Sequence, residues 1–142
     1  MGLDKHITSR LAVTDFTPAV SQGAIGCCSR AGDAEATRWM KALDNVSARL
    51  ETTAERALLR RIEGGCQVPL GALARVEGDK LRLYSQVCAL DGSKNVTTEG
   101  TCALNLADAA ALGQRLAEYL LSKGAASIIA IERGTKKGVA PA

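Results

Sequence analysis

The run Val68-Pro69-Leu70-Gly71-Ala72-Leu73-Ala74-Arg75-Val76-Glu77-Gly78-Asp79-Lys80-Leu81-Arg82-Leu83-Tyr84-Ser85-Gln86-Val87-Cys88-Ala89 sets the architecture of this 142-residue chain. In its first half Val68, Leu70, Ala72, Ala74 and Val76 share one face, with Arg75 and Glu77 toward the far end, and a period of two predicts a strand. Pro69 has no N–H to give to a ladder, which places that strand at an edge. Gly78-Asp79 is a two-residue hairpin signal. Beyond it Leu81, Leu83, Ser85, Val87 and Ala89 alternate with Arg82, Tyr84 and Gln86, which predicts the returning strand. Asp91-Gly92-Ser93 turns the chain again into Asn95–Cys102, rich in the β-branched Val96, Thr97, Thr98 and Thr101. The reading is a three-stranded antiparallel meander.

Helical periodicity flanks the meander on both sides. Trp39, Met40 and Leu43, spaced three and four apart behind Gly32-Asp33, predict a helix over about 34–45. Val46, Leu50, Ala54, Leu58 and Ile62 recur every four residues with Arg49, Glu51, Arg56 and Arg60 opposite them, which predicts a second helix capped by Ser47 and closed at Gly64-Gly65. Asn105 with Asp108 three residues on opens a third, whose stripe Leu106, Ala109, Leu112, Leu116 and Leu120 runs toward Gly124. Ile128, Ile129 and Ile131 form a run too short for periodicity to separate helix from strand. Residues 1 to about 30, broken by Pro18, Gly23 and Gly26, read as extended, with Ala24–Cys28 a short strand in want of a partner sheet. The fold class is therefore α+β: a three-stranded antiparallel sheet with helices covering one face, preceded by an orphaned segment.

Composition narrows the function classes. Eighteen Lys and Arg against fifteen Asp and Glu leave a net charge of +3, and aromatic residues make up 3% of the chain. So small an excess, with so few rings for bases to stack on, argues against a nucleic-acid partner. No apolar run is long enough to span a bilayer, and the N-terminus lacks the pattern of a secretory signal, so the expectation is no membrane and a cytoplasmic location. Cysteines at 27, 28, 66, 88 and 102 are odd in number and show no C-x-x-C spacing, as expected of reduced thiols. With His6 the sole histidine, a metal site is not expected.

One stretch carries chemistry: Ile62-Glu63-Gly64-Gly65-Cys66-Gln67-Val68-Pro69-Leu70-Gly71. It sets a thiol between a helix end and an edge strand, where glycines let the backbone bend. A bland reading makes the glycines a helix cap and Cys66 a small buried residue. The full length of the run resembles the cofactor loop of the porphobilinogen deaminase (hydroxymethylbilane synthase) family, Leu-Glu-Gly-Gly-Cys-Gln-Val-Pro-Ile-Gly, with two conservative changes. Thr53-Ala54-Glu55-Arg56 is similar to that family's Thr-Ala-Glu-Arg helix. Pro18-Ala19-Val20-Ser21-Gln22-Gly23-Ala24-Ile25-Gly26 is similar to its Pro-Ala-Val-Gly-Gln-Gly-Ala-hydrophobic-Gly segment. Ser21 departs from the glycine of that pattern, and Gly26-Cys27-Cys28-Ser29-Arg30 has a thiol where the family has an acid.

The resemblance implies the C-terminal part of a transferase of tetrapyrrole (porphyrin, heme) biosynthesis. By that likeness residues 1–32 are the remnant of a second domain and hinge, and residues 33–142 are the cofactor-binding domain. Cys66, with Gly65 beside it, inherits the thioether to a dipyrromethane cofactor that primes condensation of four porphobilinogen units. Gln22 lies near the bound pyrrole chain by the same likeness, against a reading as a loop amide satisfied by backbone. The family's catalytic aspartate and carboxylate-binding arginines lie upstream of the matched region, so no catalytic residue is assigned and the chain alone is expected to be inactive. Missing N-terminal domains, or a partner chain supplying them, would complete the enzyme, and in a truncated chain the cofactor can be absent. Arg49 and Arg56 read as a solvated face, and Glu55 as an interface group orphaned by the missing neighbour. The alternative function is a non-enzymatic binding or structural module, self-associating into a homo-oligomer through the unpaired edge near Ala24–Cys28. Thiol redox or metal chemistry by the five cysteines comes third.

Overall fold

The computed structural model describes residues 2–62 and 68–137, the last six of these by backbone alone. Its elements run α1 (Ala34–Leu43), α2 (Val46–Arg61), β1 (Leu70–Glu77), β2 (Lys80–Cys88), β3 (Asn95–Ala103), α3 (Leu106–Leu120) and α4 (Ala126–Lys137). The strands form one antiparallel sheet in the order β1-β2-β3, the α+β meander expected from the alternation. Gly78, at φ +62°, makes the tight turn that the Gly78-Asp79 pair signalled.

Strand periodicity directs the core. Leu70, Ala72 and Ala74 of β1 and Leu81, Leu83 and Val87 of β2 point to the same side, where Leu50, Ala54 and Leu58 of α2 and Leu112, Leu116 and Leu120 of α3 cover them. α2 and α3 approach so closely at Gly113 that a Cβ there would overlap the Ala54 carbonyl oxygen and lie 2.8 Å from the Leu58 nitrogen. Ile128 and Ile129, the ambiguous run, lie in α4 and are buried in the same core. Their helix is set off from α3 by Leu121–Ala125, in which Gly124 adopts φ +102°. That left-handed residue ends the α3 stripe where the sequence placed its stop.

Several local expectations shift. The cap of α2 falls two residues earlier than expected: Asn45 rather than Ser47 caps it, accepting from the Ala48 N–H at 2.9 Å. α1 stops at Leu43, two residues short of the expected end, and buries no residue; Trp39 and Leu43 are exposed. The Ala24–Cys28 strand does not form: Ile25 is 92% exposed and both cysteines are exposed. Pairing falls instead at Ala19, which bridges Gly71 antiparallel while the Ala72 N–H donates to the Pro18 carbonyl at 2.9 Å. The N-terminal segment thus meets the outer edge of β1 a few residues before the stretch proposed to pair. Gly71 permits this approach, since a Cβ there would lie 2.5 Å from the Thr17 carbonyl oxygen. At the far side of the sheet, no strand among the described residues pairs with β3 beyond β2.

Candidate functional site

α2 ends at Arg61, Ile62 follows it into the core, and β1 begins at the buried Leu70. These two apolar anchors fix the ends of the segment that carries the thiol. Cys66 and Gly65, and the Gly64-Gly65 helix stop with them, lie outside the described residues. On the α2 side their flank is basic. Arg60 and Arg61 occupy the last turn of α2, where positive charge complements the negative end of the helix dipole. Arg61 is committed to Glu118 of α3, its Nε donating at 2.6 Å. Arg60 is exposed and has no ion-pair partner among the described residues.

Gln22 is placed, in an exposed turn. Its backbone N–H donates to the Ala19 carbonyl at 3.0 Å, and its side-chain Oε1 accepts from the Ala19 N–H at 3.2 Å. One face of its amide therefore closes its own turn. The residue before it, Ser21, sits at φ +59°, the only non-glycine among the described residues at positive φ. An L residue is strained there by about 1 kcal/mol or more, and this is the position where the family pattern has glycine.

Glu55 overturns the expectation of an orphaned group. It is 5% exposed, and its two carboxylate oxygens are both used: one accepts from the Ala74 N–H at 2.8 Å, the other from the Ser21 N–H at 2.6 Å. Four residues earlier on the same helix Glu51 accepts from the Val76 N–H at 3.1 Å and pairs with Arg75 at 3.6 Å. The outward N–H groups of Ala72, Ala74 and Val76 on edge strand β1 thus end on Pro18, Glu55 and Glu51. Burial lifts the Glu55 carboxyl above its ordinary value of 4.5, against the lowering by its two N–H donors. The neighbouring Glu51 raises it further and Arg75 lowers it. A signal for this was present: two glutamates at i and i+4 repel on an exposed helix face and call for donors to offset them. Arg49 and Arg56 are exposed as expected, the first paired with Asp44 and the second donating from Nε to the Ser21 hydroxyl at 3.2 Å.

A cleft of about 1060 Å³ runs beside β3 between Tyr84, Glu99, Arg115 and Tyr119. Burial raises the Cys102 thiol, with the charge of Asp108 a smaller cause, which disfavours the nucleophilic thiolate there. Among the described residues no three His, Cys, Asp or Glu side chains gather in a way that could hold a metal ion. No helix among them is long and apolar enough to cross a membrane.

Residues 49–122, from α2 through the end of α3, match the family model for the porphobilinogen deaminase C-terminal domain. The chain belongs to the porphobilinogen deaminase family. It is 47% identical over 130 residues to the porphobilinogen deaminase of Roseiflexus castenholzii, covering 92% of this chain and 42% of that protein. The porphobilinogen deaminase of Pelotomaculum thermopropionicum is 47% identical over 131 residues, 91% of this chain and 41% of that one. That of Desulforudis audaxviator is 42% identical over 130 residues, 92% and 41% of the two chains. The chain thus spans about two-fifths of the length of these relatives, as a C-terminal domain fragment of the family.

A dipyrromethane group is implied by family membership, and the chemistry around the loop suits it. The sequence supplies a thiol, which can form a thioether, and the described flank supplies Arg60, a cation without an acidic partner among the described residues, for a group bearing carboxylates.

Proposed function

We propose that this chain is the primer-bearing domain of a porphobilinogen deaminase, with Cys66 as the attachment point of dipyrromethane. The observation that carries the reading is the run Ile62–Gly71, which keeps the family's cofactor-loop pattern inside a region matched by the family's C-terminal domain. When bound, the group would supply the free pyrrole position to which porphobilinogen units are added with loss of ammonia. Cys66 would hold it through sulfur, a linkage made once and so in no need of a permanently depressed thiol pKa. Gly65 would leave the backbone beside the sulfur free to approach the group. Arg60 would offer a charge-assisted donor to its carboxylates. Gln22 would contribute the amide NH2 that its own turn leaves free, as a donor toward the pyrrole chain.

The same reading assigns residues 1–32 to the preceding domain and hinge, and 33–142 to the cofactor domain. Four pyrrole additions require an acid that handles the protons and fixed cations for a growing polyanion, and those family residues lie upstream of the matched region. The substrate is therefore a porphobilinogen-derived chain met in company with N-terminal domains, in the cytoplasm, and this chain alone turns over no porphobilinogen.

Intact mass spectrometry with a pyrrole colour reagent tests the assignment. The chain purified from a tetrapyrrole-producing host should carry the dipyrromethane mass, and Cys66→Ala should lose both mass and colour. A bare wild-type chain, or an adduct that survives Cys66→Ala, would overturn it.

A further inference from the structure

The N-terminal segment and the sheet are joined at few points, and one of them is a buried charge. The Glu55 carboxylate lies between the Ser21 N–H, on the segment, and the Ala74 N–H, on β1, with bonds of 2.6 and 2.8 Å. The segment residues from Thr17 to Ala24 carry no titratable side chain. The charged groups that face Glu55 are Glu51 on its own helix and Arg75 on β1, themselves paired at 3.6 Å, and Arg56, which holds the Ser21 hydroxyl at 3.2 Å. A carboxylate with four lone-pair directions can serve two N–H donors at once, and an amide in its place can serve only one while turning its own NH2 toward the other. Arg56 and Glu55, adjacent on α2, therefore grip Ser21 by side chain and backbone together.

We propose that Glu55 is a positioning residue, a clamp whose shared carboxylate fixes the Ser21-Gln22 turn in register against edge strand β1. Its importance for the pyrrole chain rests on the reading of Gln22 and Cys66 given above. β1 is the strand into which the Cys66 segment leads, so the clamp ties the turn bearing Gln22 to the strand that anchors the thiol. The strained φ of Ser21 is consistent with this, because a residue stays in the left-handed region only where its surroundings hold it there. The raised Glu55 pKa makes the clamp visible in solution, since the amides it accepts from must report its proton.

Amide hydrogen exchange and NMR titration of the whole chain test the clamp. In the wild type the Ser21 and Ala74 amide protons should titrate together, with one midpoint above 4.5. In Glu55→Gln, exchange at Ser21 should quicken by about 10- to 100-fold, while amides paired between β2 and β3 keep their protection. Ser21→Gly keeps the N–H and should keep the shared titration. The proposal is overturned if the two amides titrate separately or not at all, or if Ser21 exchange is unchanged in Glu55→Gln. The wild-type titration needs no variant, so it decides the matter even where Glu55→Gln fails to fold. The mass at Cys66, measured on the same sample, reports on the functional reading separately from the clamp.

Discussion

Replacing Gly113 by alanine tests the packing on which the domain rests. The new Cβ would overlap the Ala54 carbonyl oxygen and lie 2.8 Å from the Leu58 nitrogen and 2.9 Å from the Ala57 Cβ. Two of these three atoms are backbone of α2, so no rotamer change relieves them and the helices must separate. Overpacking of this kind costs about 1–3 kcal/mol, and a site closed by backbone belongs at the upper end. Alanine returns about 1 kcal/mol through its better helix propensity. About 3 less about 1 leaves a loss of about 2 kcal/mol, a fall of roughly 30-fold in the folded-to-unfolded ratio. Urea unfolding followed by far-ultraviolet circular dichroism should show a lower midpoint with little change of slope. Adding Ala57→Gly should recover little, because it leaves the Ala54 carbonyl in place. A Gly113→Ala protein as stable as wild type, or more stable by the propensity gain alone, would refute the close approach of α2 and α3.

Four other outcomes follow from the same structure. Ser21→Gly releases left-handed strain worth about 1 kcal/mol at the loss of one exposed bond to Arg56, so urea unfolding should show a gain of about 0.5 kcal/mol; a loss would place the strain elsewhere. Gly71→Ala sets a methyl against the Thr17 carbonyl, so limited proteolysis should cut near residues 17–20 faster while the β2–β3 amides stay protected. Ser85 is buried with its hydroxyl unpaired among the described residues, and Ser85→Ala should raise stability by about 1 kcal/mol in the same urea assay. Glu55 has a folded pKa raised above 4.5, so folding takes up a proton. Its contribution is whole below 4.5 and is lost as pH rises through the folded value. The stability of wild type relative to Glu55→Gln, measured by urea titration at several pH values, should be flat below 4.5 and fall above it; a rise would reverse the sign.

The meander was legible because its two inner faces are written with period two, from Leu70 to Val76 and from Leu81 to Val87, and tight turns at Gly78 and Gly92 pin the register. The thiol segment was legible as a motif of ten residues, a reading that needs no geometry. What the pattern did not show were contacts between residues far apart in sequence. Ala24–Cys28 read as a short strand in want of a partner, yet pairing fell at Ala19, where Gly71 leaves room for the Thr17 carbonyl. Glu55 looked like a surface residue stranded by a missing neighbour, because its donors are backbone N–H groups 34 and 19 residues away, which carry no mark in the side-chain alphabet. Asn45 displaced Ser47 as the cap of α2 because either side chain can accept an N–H, and only the backbone angle at Asn45 selects one.

The acceptors that quench the outward amides of β1 come largely from α2, a helix only eight residues upstream of the strand. Carboxylates here take the place of a fourth strand's carbonyls, so polymer-like growth of the sheet past β1 is blocked by side chains the unit carries itself. A flap of polypeptide that peels from this border would uncover one amide at Ala72 and leave the other two covered. Detachment of that flap would therefore offer an incoming strand a single donor, too little to start a new ladder.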